Sequence, residues 1–90
     1  MAERRTQLDI VHDILFAIQQ KGGKIKPTHL LYKSNLSHKR MTEYIKELKQ
    51  KHLIHEEREK NKKMFLITDD GLRFLVELKK VKEFTDAFGL

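Results

Sequence analysis

Leu8, Val11, Ile14, Leu15 and Ile18 recur at i, i+3, i+4 spacing, which predicts an amphipathic helix over about residues 6–21. Gly22-Gly23 ends it, because glycine readily takes the left-handed conformation that closes a helix. Lys24-Ile25-Lys26 is long enough only for a turn or a scrap of strand, and Pro27 suits the first turn of a second helix that carries Leu30 and Leu31 and stops near Ser34-Asn35. Ser37 can cap a third helix, with Leu36 stapled against Met41. Met41, Tyr44, Ile45 and Leu48 give that helix its buried face. Lys39, Glu43, Lys46 and Gln50 then lie opposite, flanked by Arg40 and Thr42. Two strand-like runs follow, Ile54 to Arg58 and Lys63 to Ile67, joined by Glu59-Lys60-Asn61-Lys62, where Asn61 can take a positive φ.

Thr68 caps a fourth helix, and Asp69 and Asp70 sit in its first turn, where the helix dipole favours negative charge. Its apolar residues, among them Leu72, Phe74, Leu75, Val76, Leu78, Val81, Phe84 and Phe88, spread over more than one stripe. About 20 residues make a rod near 30 Å long, more than a small domain can cover. The distal part is therefore expected to pack on a second chain, with Phe74, Leu78, Val81, Phe84 and Phe88 as the dimer interface. The reading is one mainly α domain over residues 1–90, in the order helix, helix, helix, hairpin, helix.

Ninety residues support one core and leave nothing for a second. The absence of cysteine excludes a disulfide framework and a thiolate metal site. No run approaches the roughly 20 apolar residues of a membrane span, and the polar start Met1 to Gln7 lacks the apolar segment of a secretory leader. A cytoplasmic protein is expected, with no membrane partner.

Charge sharpens the picture. The net charge is +6, and nine of the nineteen Lys and Arg residues fall between residues 20 and 52, against only two acids there. The flanking segments are near neutral. A field so localised points to a polyanion, and the third helix carries the most basic exposed helical face.

Helix, short turn, helix and hairpin is the winged-helix arrangement. The run Leu31-Tyr32-Lys33-Ser34-Asn35-Leu36-Ser37, then Tyr44-Ile45, Leu48, His52-Leu53-Ile54 and Phe65-Leu66-Ile67-Thr68-Asp69-Asp70-Gly71 with Phe74-Leu75, resembles a family of small archaeal winged-helix DNA-binding proteins. The resemblance covers roughly residues 8–80. It implies dimerisation through the C-terminal helix, often as an antiparallel coiled coil, and a role in chromatin or transcription regulation. It also implies a third helix in the major groove, which makes Lys39, Arg40, Thr42, Glu43 and Lys46 candidate DNA contacts, with Ser37 and His38 near phosphate. Arg58, Lys60, Lys62 and Lys63 would form the wing, against phosphates or in the minor groove. His52 departs from the family pattern, which usually has glycine there.

Other chemistry is weakly supported. Glu43 can accept from a cytosine amino group or pair with Arg40 or Lys46, and the pairing is preferred. His12, His29, His38, His52 and His55 lack the i, i+4 spacing of helical metal ligands, so no metal is expected. Asn35-Leu36-Ser37 matches a glycosylation sequon, but capping explains the serine better. No Gly-rich phosphate loop is present, so neither an enzyme, a cofactor nor a small-molecule ligand is expected. The rivals to duplex DNA binding are a winged helix docking an acidic protein and, less favoured for want of aromatics on the basic face, RNA binding.

Overall fold

The computed structural model describes residues 5–89; the polar stretch Met1–Arg4 and Leu90 lie outside them. The chain runs α1 (Gln7–Gln20), β1 (Lys24–Ile25), α2 (Pro27–Ser34), α3 (His38–Gln50), β2 (Ile54–Glu59), β3 (Lys62–Ile67) and α4 (Asp69–Ala87).

α1 forms the centre of the core. Its start is a capping box: Thr6 Oγ1 accepts the Asp9 N–H at 3.1 Å, and Asp9 Oδ2 accepts the Thr6 N–H at 3.0 Å. Its end is a Schellman turn, in which the N–H groups of Gly22 and Gly23 donate to the Gln19 and Ile18 carbonyls, with both glycines at positive φ. Between them Ile10, Ile14, Leu15 and Ile18 are buried against Leu30 of α2, Met41, Ile45 and Leu48 of α3, Ile54 and Phe65 of the sheet, and Leu75 and Leu78 of α4. Each such side chain removed from water contributes about 1.5–3 kcal/mol before chain entropy is set against it.

The short run at Lys24-Ile25 is a true strand. β1 pairs antiparallel with β3, Lys24 opposite Leu66 and Ile25 opposite Phe65, so the sheet has three strands in the order β1-β3-β2. The sequence left this run open between a turn and a scrap of strand, because two residues carry no periodicity; tertiary pairing, not local preference, makes it a strand. Ile25 is fully buried through it. The wing strands are longer than expected and their turn tighter: Glu59 pairs with Lys62, leaving only Lys60 and Asn61 in the loop. Both have positive φ, 51° and 66°, as a two-residue type I′ hairpin requires.

α3, the wing and α4 meet at one junction. α3 ends in a second Schellman turn, with the His52 N–H on the Lys49 carbonyl and the Leu53 N–H on the Leu48 carbonyl. His52 takes the left-handed conformation, φ 59°, so the position keeps the backbone shape that glycine would give it. The Thr68 hydroxyl lies 2.7 Å from the His52 carbonyl and 3.1 Å from that of Leu53, and it accepts the Gly71 N–H at 2.9 Å as the cap of α4.

α4 corrects one assignment. Leu78, expected in the dimer seam, is buried in the protomer's own core, 5% exposed. It lies on the side of α4 that carries Gly71 and Leu75, both buried. The remaining seam candidates, Phe74, Val81, Phe84 and Phe88, are exposed.

Candidate nucleic-acid interface

Strand alternation sorts the wing. Glu56 faces Phe65 and Arg58 faces Lys63 across the hairpin, two residues apart on each strand, so these four share one face of the sheet. Glu59 and Lys62 belong to the other face, where Glu59 Oε2 accepts from Lys24 Nζ at 2.8 Å. Lys60 sits at the tip.

The first of these faces looks onto α3. Between them runs a groove of about 400 Å³, lined by His38, Thr42, Lys46 and Lys49 from α3, Glu56, Lys63 and Phe65 from the sheet, and Pro27 at the head of α2. The helix and the wing thus form two walls of one cleft. Thr42, Lys46 and His38 point to it because they lie a quarter-turn round from the buried Met41, Ile45 and Leu48.

All the candidate contact residues are exposed: Ser37, His38, Lys39, Arg40, Thr42, Glu43 and Lys46 on α3, and Arg58, Lys60, Lys62 and Lys63 on the wing. They are not equivalent. Lys39, Lys46, Arg58, Lys60, Lys62 and Lys63 make no ion pair among the described residues. Ser37 Oγ is occupied as the α3 cap, accepting the Arg40 N–H at 3.2 Å. The Thr42 hydroxyl donates to the His38 carbonyl at 2.8 Å, a back-bond that leaves its oxygen chiefly an acceptor. Arg40 turns away from the groove, its guanidinium 5.9 Å from the centroid of the Tyr44 ring. Glu43 pairs with neither Arg40 nor Lys46 among the described residues, contrary to the preferred reading.

Two groove residues escaped the sequence reading. Lys49 Nζ donates to Glu56 Oε1 at 2.9 Å, joining the last turn of α3 to β2. That bond, with Lys63 and Arg58 nearby, holds the Glu56 carboxyl below the ordinary glutamate value. The pair places a neutralised carboxylate in a cleft whose walls also carry Lys46 and Lys63. The helical angle of Lys49, close to that of Thr42, was legible; its strand partner was not.

Among the described residues no group of His, Asp and Glu side chains is arranged to hold a metal, and no helix is long and apolar enough to cross a membrane.

Comparison with known proteins bears on the fold. Sso10a-2, a DNA-binding protein from Sulfolobus solfataricus, superposes with a TM-score of 0.85 at 18% identity, covering 93% of this chain and 85% of its own. The transcriptional regulator BldR from Sulfolobus solfataricus gives 0.76 at 17% identity, over 88% of this chain and 58% of its own. A MarR family transcriptional regulator from Silicibacter pomeroyi gives 0.65 at 17% identity, over 87% and 57%. No curated protein sequence matches the chain significantly. The family model described as winged helix-turn-helix matches residues 4–86, nearly the whole sequence. With its capped third helix, its two-residue wing turn and the groove between them, this chain belongs to the winged helix-turn-helix family.

Proposed function

We propose that the protein binds duplex DNA as a homodimer and acts as a transcription regulator or chromatin-associated protein of the nucleoid. The observation that carries this reading is the cleft between α3 and the wing: its walls carry Lys46 and Lys63, Lys39, Arg58, Lys60 and Lys62 are exposed on the same helix and hairpin, and none of the six has a carboxylate partner among the described residues. Such cations release counterions when they neutralise phosphates, which is the main source of affinity for DNA. α3 enters the major groove with its N-terminal turns leading, and the wing tip at Lys60 lies along the adjacent backbone. Arg40, held over Tyr44, is a positioning contact at the edge of that surface. The descriptions of Sso10a-2 as a DNA-binding protein and of BldR as a transcriptional regulator agree with this reading.

Dimerisation is assigned to α4. Phe74, Val81, Phe84 and Phe88 are 36%, 49%, 62% and 66% exposed and follow one another at intervals of 7, 3 and 4 residues, the repeat of a coiled-coil seam. Leu8, also exposed, shares a cleft with Phe74 at one end of the stripe. The chemistry needs no bound metal or cofactor and no catalytic residue.

Fluorescence anisotropy with a random duplex and a matched single strand, across a salt series, tests the function. Six to ten neutralised phosphates predict that duplex affinity falls about 10³- to 10⁵-fold between 50 and 200 mM salt. A flat salt response, or no duplex binding at about 50 mM, would overturn it in favour of an acidic protein partner.

A further inference from the structure

The positive charge is divided between two faces. No acidic residue occurs between Asp13 and Glu43, yet only Lys39 and Arg40 of that stretch's cations belong to α3. Lys21, Lys24, Lys26 and Lys33 lie on the β1–α2 side. There Lys21, Lys24, Lys26 and His29 line a second, shallower concavity with Ile25 and Met64.

The two concavities share their borders but face apart. β3 contributes Lys63 and Phe65 to the α3 groove and Met64 to the other, and successive residues of a strand point to opposite sides of the sheet. The first turn of α2 divides them likewise, with Pro27 on one side and Lys26 and His29 on the other. Lys24 is engaged by Glu59, but Lys21, Lys26 and Lys33 make no ion pair among the described residues.

We propose that the β1–α2 side is a second duplex-binding surface, on which Lys21, Lys26 and Lys33 hold the phosphate backbone of a separate DNA segment. It rests on the reading of the chain as a DNA-binding protein. A separate segment is required because the duplex bends over a persistence length of about 50 nm, whereas the protein's longest dimension is 47 Å. A duplex seated on α3 cannot bend round the sheet to reach the opposite face. A peptide partner fits less well: Ile25 is fully buried and Met64 half-buried, so the concavity lacks an exposed apolar anchor. The environment of His29 agrees with an open cationic site, since desolvation and the charges of Lys21, Lys33 and Lys26 push its imidazole below the ordinary histidine value. An apposed phosphate would push it back up. One protomer would then bridge two duplexes, independently of any pairing through α4.

The test is an NMR titration of the full chain with a duplex of about 12 base pairs, just over one helical turn, at low salt. Amide signals of α3 and the wing should saturate at one duplex per protomer. Those of Lys21, Lys26 and Lys33 should move in a second, weaker phase ending at two, with the His29 imidazole pKa rising. Lys21→Gln with Lys33→Gln should abolish only the second phase, and Lys39→Ala with Lys46→Ala only the first. Silence of the β1–α2 signals, or their movement in step with α3 at a single equivalent, would overturn the second surface. Movement on β1–α2 with α3 silent would support it and overturn the assignment of α3 as the DNA-reading helix.

Discussion

One carboxylate oxygen of Asp9 accepts the Thr6 N–H at 3.0 Å while the other accepts Lys82 Nζ at 2.8 Å, so the residue that closes the start of α1 also fastens it to the later part of α4. Lys82 first, and the Thr6 backbone next, hold the Asp9 carboxyl at about 2 instead of 3.8. A folded pKa below the unfolded one stabilises fully above the unfolded value and is lost as pH falls through the folded value. The window here is therefore about pH 4 down to pH 2. Both side chains keep about a third of their exposure, which limits the pair to roughly 1 kcal/mol. Lys82→Met should shift the acid-unfolding curve, followed by circular dichroism, to higher pH; superimposable curves would show that the pair adds nothing.

The burial of Leu78 separates two substitutions that sequence spacing treats alike. Leu78→Asp puts a charge in the core and should cost at least about 3 kcal/mol, unfolding much of the population. Phe84→Glu changes an exposed position and should leave thermal stability of the protomer nearly intact while halving the mass in sedimentation. A dimer that survives Phe84→Glu would move the interface away from this stripe.

Gly71 allows α4 to approach the α3–wing junction. A Cβ there would meet the Leu53 carbonyl oxygen at 2.2 Å and Ile67 Cγ1 at 2.7 Å, and the first of these is backbone that cannot rotate away. Gly71→Ala should destabilise by about 2–3 kcal/mol, a fall in Tm of roughly 10 °C or more for a domain of this size. An unchanged Tm would mean that the junction is looser than its geometry.

His52 carries a side chain where the backbone is left-handed. That conformation costs a residue with Cβ about 1–2 kcal/mol, partly offset because glycine loses more entropy on folding, about 0.5–1 kcal/mol. His52→Gly should therefore stabilise by about 0.5 kcal/mol, read as a rise of a few degrees in Tm. Loss of stability would assign the His52 side chain a contact that outweighs its strain.

Lys46 and Lys63 stand on opposite walls of the α3–wing groove. If both meet phosphate, each alanine substitution should reduce the slope of log affinity against log salt by about 1. Neither makes an ion pair among the described residues, so melting curves should not move. A change in one slope only would place the DNA against the helix or the wing rather than in the cleft between them.

Features governed by neighbours along the chain were legible. Ser37 and Thr68 cap their helices through bonds spanning three residues, and Asn61 turns the hairpin. In Ile67-Thr68-Asp69-Asp70-Gly71 the cap at Thr68 was legible, but the reason for Gly71 was not: it makes room for the Leu53 carbonyl. What stayed hidden depends on residues distant in sequence. β1 exists only because Leu66 and Phe65 offer an edge, and Glu56 reaches the groove only because the sheet brings it to Lys49. Leu78 misled because it lies only about 40° round the helix from Phe74, and α1 decides which of the two it covers. In the same way, one basic run of sequence became two faces when β3 came between its halves.

The Thr68 hydroxyl, set between the His52 and Leu53 carbonyls and the Gly71 N–H, gives the molecule a fixed elbow. Whatever α4 is fastened to, α3 must follow at a set angle, because no flexible linker separates them. Two copies joined through their last helices would thus act as a calliper of constant aperture. Such a tool would respond to the distance between two stretches of a polymer as well as to their charge, with the Thr68 hydroxyl among the contacts that hold its angle.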